Sequence, residues 1–86
     1  MKEVEEIVKK IDTLKDQFIK NKEKIHGLDA KIQDLDFNAG NTEELLINIT
    51  DQINNLKQLN EKIEENMLDL ERKIQILSRF ELEKMS

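Results

Sequence analysis

The chain contains no cysteine, proline, tryptophan or tyrosine, and only two glycines, Gly27 and Gly40. Without cysteine it has neither a disulfide framework nor a thiolate metal site. With three phenylalanines as its only aromatic residues, it is poor in the strand and turn chemistry on which β and α/β folds depend. No window approaches the 18 consecutive apolar residues of a membrane-crossing helix. The opening stretch, MKEVEEIVKK, carries acids where a secretory signal would carry an apolar run, so an intracellular, cytoplasmic protein without membrane insertion is expected. A surplus of positive charge is also missing: 14 basic against 19 acidic residues leave a net charge of −5 and a pI near 4.9. Nucleic-acid binding by bulk attraction is therefore not expected. Lys9-Lys10 and Lys20, Lys22, Lys24 are the densest basic stretches, and acids beside them make them read as solvated helix faces.

What the sequence does have is charge, 38% of its residues, and a repeat. With position a at Val4 and d at Ile7, counting in sevens without adjustment gives Val4, Ile11, Phe18, Ile25, Ile32, Ala39, Leu46, Ile53, Asn60, Met67 and Ile74 at a. The d series is Ile7, Leu14, Asn21, Leu28, Leu35, Thr42, Ile49, Leu56, Ile63, Leu70 and Leu77. Nineteen of these 22 positions are apolar, where the bulk composition would place about eight. A stripe held at 3.5 residues per turn for eleven heptads is the seam of a left-handed coiled coil, and a lone helix could not hide it. The 86 residues are expected to form one all-α coiled-coil unit.

The segment Phe37-Asn38-Ala39-Gly40-Asn41-Thr42-Glu43-Glu44 carries helix stop and start signals without shifting the register of the seam. Gly40 can end a helix by entering the left-handed region, and Asn41 with Glu44 three residues later has the form of a capping box. An antiparallel hairpin follows, with a first helix over about 2–37, a turn at 38–41, a second helix over about 42–84 and a C-terminal overhang at 81–86. Arms of about 38 residues would make a rod of roughly 55 to 60 Å. Folded there, residue i faces residue 81 minus i, and position a meets d′ throughout. The two polar seam residues, Asn21 and Asn60, then face each other, and paired amides can satisfy one another where an amide opposite Leu could not. The alternative is one continuous helix in a parallel or antiparallel dimer. Flanking charges favour the parallel form: in the hairpin Lys15 attracts Glu64, but Lys22 faces Lys57 and Lys10 faces Lys73. Exposed pairs of this kind are worth only about 0.3 to 0.5 kcal/mol each.

No catalytic constellation emerges. There is one histidine, His26, at an outward b position, and the serines are Ser78 and Ser86. The acidic pairs lack the loop geometry of a calcium site. Asn48-Ile49-Thr50 fits the glycosylation triplet, which would matter only in a secreted chain. A non-enzymatic protein without cofactor or metal is expected. Two features could carry recognition: the overhang, where Phe80, Leu82 and Met85 have no mirror partner, and an outward b row of Ile19, Ile47, Leu68 and Leu82. The expected function is structural or scaffolding, through coiled-coil association with itself or with helices of a larger complex. One alternative is a parallel oligomerisation segment of a longer protein. Another is a small secreted helical hairpin, although the Trp-x-Gly turn of such proteins has no counterpart in Phe37-Asn38-Ala39-Gly40.

Overall fold

The computed structural model describes the backbone of residues 2–85 and the side chains of residues 2–82. Two helices account for nearly all of it: α1, Lys2–Gln33, and α2, Thr42–Met85. They pack antiparallel on each other as a hairpin measuring 72 × 14 × 13 Å, with a radius of gyration of 20.0 Å. The long axis exceeds the expected 55 to 60 Å because α2, at 44 residues, spans about 66 Å by itself and runs past the start of α1.

Burial follows the heptad without exception in one direction and with one exception in the other. Every described residue outside positions a and d is exposed, and from Val4 to Leu77 every a or d residue other than Ala39 is buried or half-buried. The seam thus marks the only face that either helix hides. Ile11, Ile49, Ile53 and Ile63 are its most enclosed apolar residues, and among the described residues no large side chain is fully covered. Two helices can flank a seam but cannot surround it, so most of its leucines keep one edge in water.

The connection differs from expectation. The first helix stops at Gln33 and not near 37, so the loop is residues 34–41, twice the expected length. The cause lies in Asp34 and Asp36. Carboxylates at the C-terminal end of a helix oppose its dipole, and Asp36 offers the backbone an alternative set of hydrogen bonds. The last turn tightens as the Leu35 amide donates to the Ile32 carbonyl at 3.2 Å. Beyond it, the Asn38 amide donates to Asp36 Oδ1 at 3.0 Å and the Ala39 amide to the Asp36 carbonyl at 3.0 Å. Asp36 is therefore the pivot of the turn.

Gly40 does not end α1 and does not use a left-handed conformation, for no described glycine has positive φ. Asn41 is the residue before α2, its carbonyl accepting the Leu45 amide at 3.2 Å. The expected reciprocal box between Asn41 and Glu44 is absent among the described side-chain hydrogen bonds. Thr42 acts differently: its one hydroxyl proton is shared between the Asp36 carbonyl and, at 3.0 Å, the Ala39 carbonyl, which ties the loop together and leaves the first amides of α2 uncapped by it. Only 6% exposed, Thr42 closes the loop from within the seam.

Candidate functional site

The polar layer lies midway along the rod. Asn21 is 2% exposed and Asn60 7%, and each comes from a seam position that would otherwise hold a leucine or isoleucine. Asn21 Nδ2 donates to Asn60 Oδ1 at 2.9 Å, across 39 residues of sequence. Two further contacts extend the layer. Gln17 Nε2 donates to Asn21 Oδ1 at 2.9 Å from one turn earlier in α1, and Asn60 Nδ2 reaches the Phe18 carbonyl at 3.4 Å. No described buried side-chain nitrogen or oxygen lacks a partner. The network runs in one direction, Gln17 to Asn21 to Asn60 to the α1 backbone, so a shift of either helix by one heptad would leave both asparagines facing hydrocarbon. Its chemistry is positional: it fixes register. Gln17 escaped notice in the sequence, although its i, i+4 spacing from Asn21 on the same helix face is a recognised signal for such a bond.

Outside the seam, the large apolar side chains that remain in water are mostly on α2. Phe80 and Leu82, at 59% and 68% exposure, project where α2 passes the start of α1. Met85, grouped with them in the sequence, lies outside the residues whose side chains are described. Ile76, 57% exposed, was not singled out, yet it sits one turn before Phe80 on the same face and borders a groove with Ile7 and Leu77. The i, i+4 spacing of Ile76 and Phe80 was the available clue. The b row does not form a patch. Ile19, Ile47 and Leu68 are all more than half exposed, but Ile47 and Leu68 stand about 30 Å apart along α2 and Ile19 belongs to the other helix.

Charged side chains contribute little to holding the helices together. Among the described residues the one ion pair is Arg72 with Asp69, 3.6 Å apart and exposed on a single helix. Lys15 and Glu64 do not close to contact distance, because long solvated side chains gain too little to be held in one geometry. Lys22 instead lays its ammonium 4.9 Å from the centre of the Phe18 ring, a cation–π contact that also shields a half-buried seam residue. Shallow open grooves run along both flanks. One is lined by Phe18, Lys22, His26, Lys57, Glu61 and Glu64. On the other side, Lys24, Gly27, Lys31, Gln52 and Asn55 border a groove over Leu28 and Leu56.

His26 and Asn48 are exposed. Among the described residues, no three His, Cys, Asp or Glu converge to hold a metal ion, and no helix is long and apolar enough to cross a membrane. Comparison with protein-family models, with curated proteins and with solved structures returns no match.

Proposed function

We propose that this is a non-enzymatic structural protein that works by helix association, first with further copies of itself and, in a larger assembly, with other helices bearing a complementary stripe. One observation carries the reading: a hairpin with an almost uninterrupted apolar seam encloses none of its large side chains completely, while Phe80, Leu82, Ile76, Ile47 and Leu68 stand more than half exposed. Of these, Ile76 and Phe80, four residues apart on one face where α2 runs past the start of α1, form the apolar surface that helical subunits would cover when they assemble. The polar layer supports the same reading, because its register-fixing chemistry serves a rod whose length and alignment matter. The reading takes the cytoplasm as its setting, in keeping with a surface rich in charge.

Light scattering combined with thermal unfolding at several concentrations tests it. The expected mass is a multiple of 10.2 kDa, with a Tm that rises as the protein is concentrated, because association stabilises whatever it binds. The double variant Phe80→Ser/Leu82→Ser should lower that mass while changing the stability of the single hairpin by no more than about 0.5 kcal/mol, as expected for exposed positions. A chain that stays monomeric and melts at one temperature across a hundredfold range of concentration would refute self-association.

A further inference from the structure

The two flanks of the rod carry opposite charge. On the flank formed by positions c and g of both helices stand six lysines, Lys10, Lys20, Lys24, Lys31, Lys62 and Lys73, against four acids, Glu3, Glu6, Asp69 and Glu83, with Asp34 following just past the end of α1. Glu3 and Glu6 lie together at the start of α1, Glu83 belongs to the last turn of α2, and Asp69 is already paired with Arg72. The lysines of α1 extend from residue 10 to residue 31, about 30 Å of helix. On the opposite flank, positions b and e carry seven acids against three lysines, with Asp12, Asp29, Glu61, Glu64 and Glu71 in its middle portion. The division reflects where the grooves lie. Lys10 and Lys73 border the same two grooves on the basic side, and Lys24 and Lys31 a third. Glu61 and Glu64 border the groove on the acidic side together with Lys22 and Lys57, so the acidic excess of that flank comes from Asp12, Asp29 and Glu71 on either side of it.

None of this separation serves the hairpin itself. No described ion pair crosses between the helices, and the basic side sets Lys10 beside Lys73. We infer that a second copy of the chain is the occupant of the basic flank, docking there through its own acidic flank. The inference deepens the association reading above and rests on it. Three observations select this partner. The acidic flank matches the basic one in length and is supplied by the same molecule. Each flank adds apolar side chains, Leu45 and Leu59 on the basic side and Ile19 and Leu68 on the acidic side, so the contact has burial as well as charge. Gly27 leaves the basic flank open at its centre, with nothing within 4 Å of where a Cβ would stand. A nucleic acid fits less well: the stripe is short, and a phosphate backbone continued along it would meet Glu3 and Glu6.

Like flanks repel, so the contact joins unlike surfaces and is not a closed two-fold. Each copy added leaves one basic and one acidic flank free, and the hairpins stack side by side in an open series.

Sedimentation of the whole chain in 0.05 M and 1 M salt tests this, with Lys24→Glu/Lys31→Glu and Glu61→Lys/Glu64→Lys as charge-reversed variants and circular dichroism to verify that each remains helical. All four positions are exposed. The expected result is an assembly at low salt that dissociates in 1 M salt, where screening falls to about 3 Å. Each variant alone should associate roughly tenfold or more weakly, and mixing the two should restore assembly. An assembly indifferent to salt and to both variants would overturn the flank contact while leaving helix association standing. A chain monomeric at every concentration would overturn both. A chain that stays monomeric and instead binds a short DNA duplex, with the lysine variant losing that binding, would reassign the basic flank to a polyanion.

Discussion

Replacing Asn21 and Asn60 by leucine, singly and together, measures what the polar layer does. Asn21→Leu removes the donor that satisfies Asn60 Oδ1 at 2.9 Å and leaves that oxygen in a site only 7% exposed. Stranding a buried amide group costs about 1 to 3 kcal/mol, whereas the new leucine regains about 1.5 to 3 kcal/mol only if it is fully buried among apolar atoms. Facing an unsatisfied amide, it is not, and a net loss of about 1 kcal/mol is expected. Asn60→Leu strands Asn21 Nδ2 in turn, at a similar net loss. With both replaced, no amide is stranded and two leucines meet, so the double variant should equal or exceed the parent. The coupling energy is then about 2 kcal/mol or more in favour of the pair, within the range for residues in direct contact. Urea unfolding followed by circular dichroism, on samples shown by light scattering to share one mass, supplies the cycle. The same double variant should lose its unique alignment, because an all-apolar seam tolerates a slip of one heptad. Spin labels at residues 4 and 77 would show this as a broadened distance distribution. Additive losses in the two single variants would refute the direct contact, and a double variant that kept one sharp distance would refute the register role.

The loop and the glycines give three more tests, each read as a change in unfolding free energy of the monomer. Gly40→Ala should stabilise by about 0.4 to 1 kcal/mol, since φ is not positive there, no atom lies within 4 Å of the added Cβ and the unfolded chain loses freedom; a clear loss would show that the loop needs glycine geometry after all. Gly27→Ala, within α1 and equally open, should gain about 0.8 to 1 kcal/mol from helix propensity alone. Thr42→Val keeps the shape and deletes the hydroxyl that bonds the Asp36 and Ala39 carbonyls. Because both carbonyls retain amide donors at Ala39 and Thr42, the cost should be near 1 kcal/mol, and no measurable loss would remove Thr42 as the closure of the loop.

The seam was legible because burial in a two-helix rod depends on one periodicity, and the sequence holds it without a break. The facing of Asn21 and Asn60 could be read for the same reason: once the chain folds back near residue 40, the sum of paired numbers fixes every layer. The end of α1 could not be read from Gly40. The helix is stopped seven residues earlier by Asp34 and Asp36 acting on the dipole and on nearby amides, a local competition that leaves no periodic trace. Gln17 was missed because an outward polar residue looks like solvent-facing surface until the amide beneath it is known to need a partner. Ile76 was hidden likewise at a c position, where its proximity to Phe80 mattered more than its heptad letter.

The eight residues joining the arms have a consequence for the choice between compact and extended shapes. The heptad of α2 resumes in the phase that α1 left, although a hairpin does not require this, since its arms would dock equally well after a connector of any phase. Were residues 34–41 wound into helix, the chain would become a single long rod presenting the same uninterrupted stripe, and two such rods lying head to tail would reproduce every layer of the folded molecule, asparagines included. The interior contacts therefore cannot tell the bent molecule from an exchanged pair. What distinguishes them is the short stretch anchored by Asp36 and Thr42, so that substitutions there act as a selector of form while leaving the rest of the protein nearly unaltered.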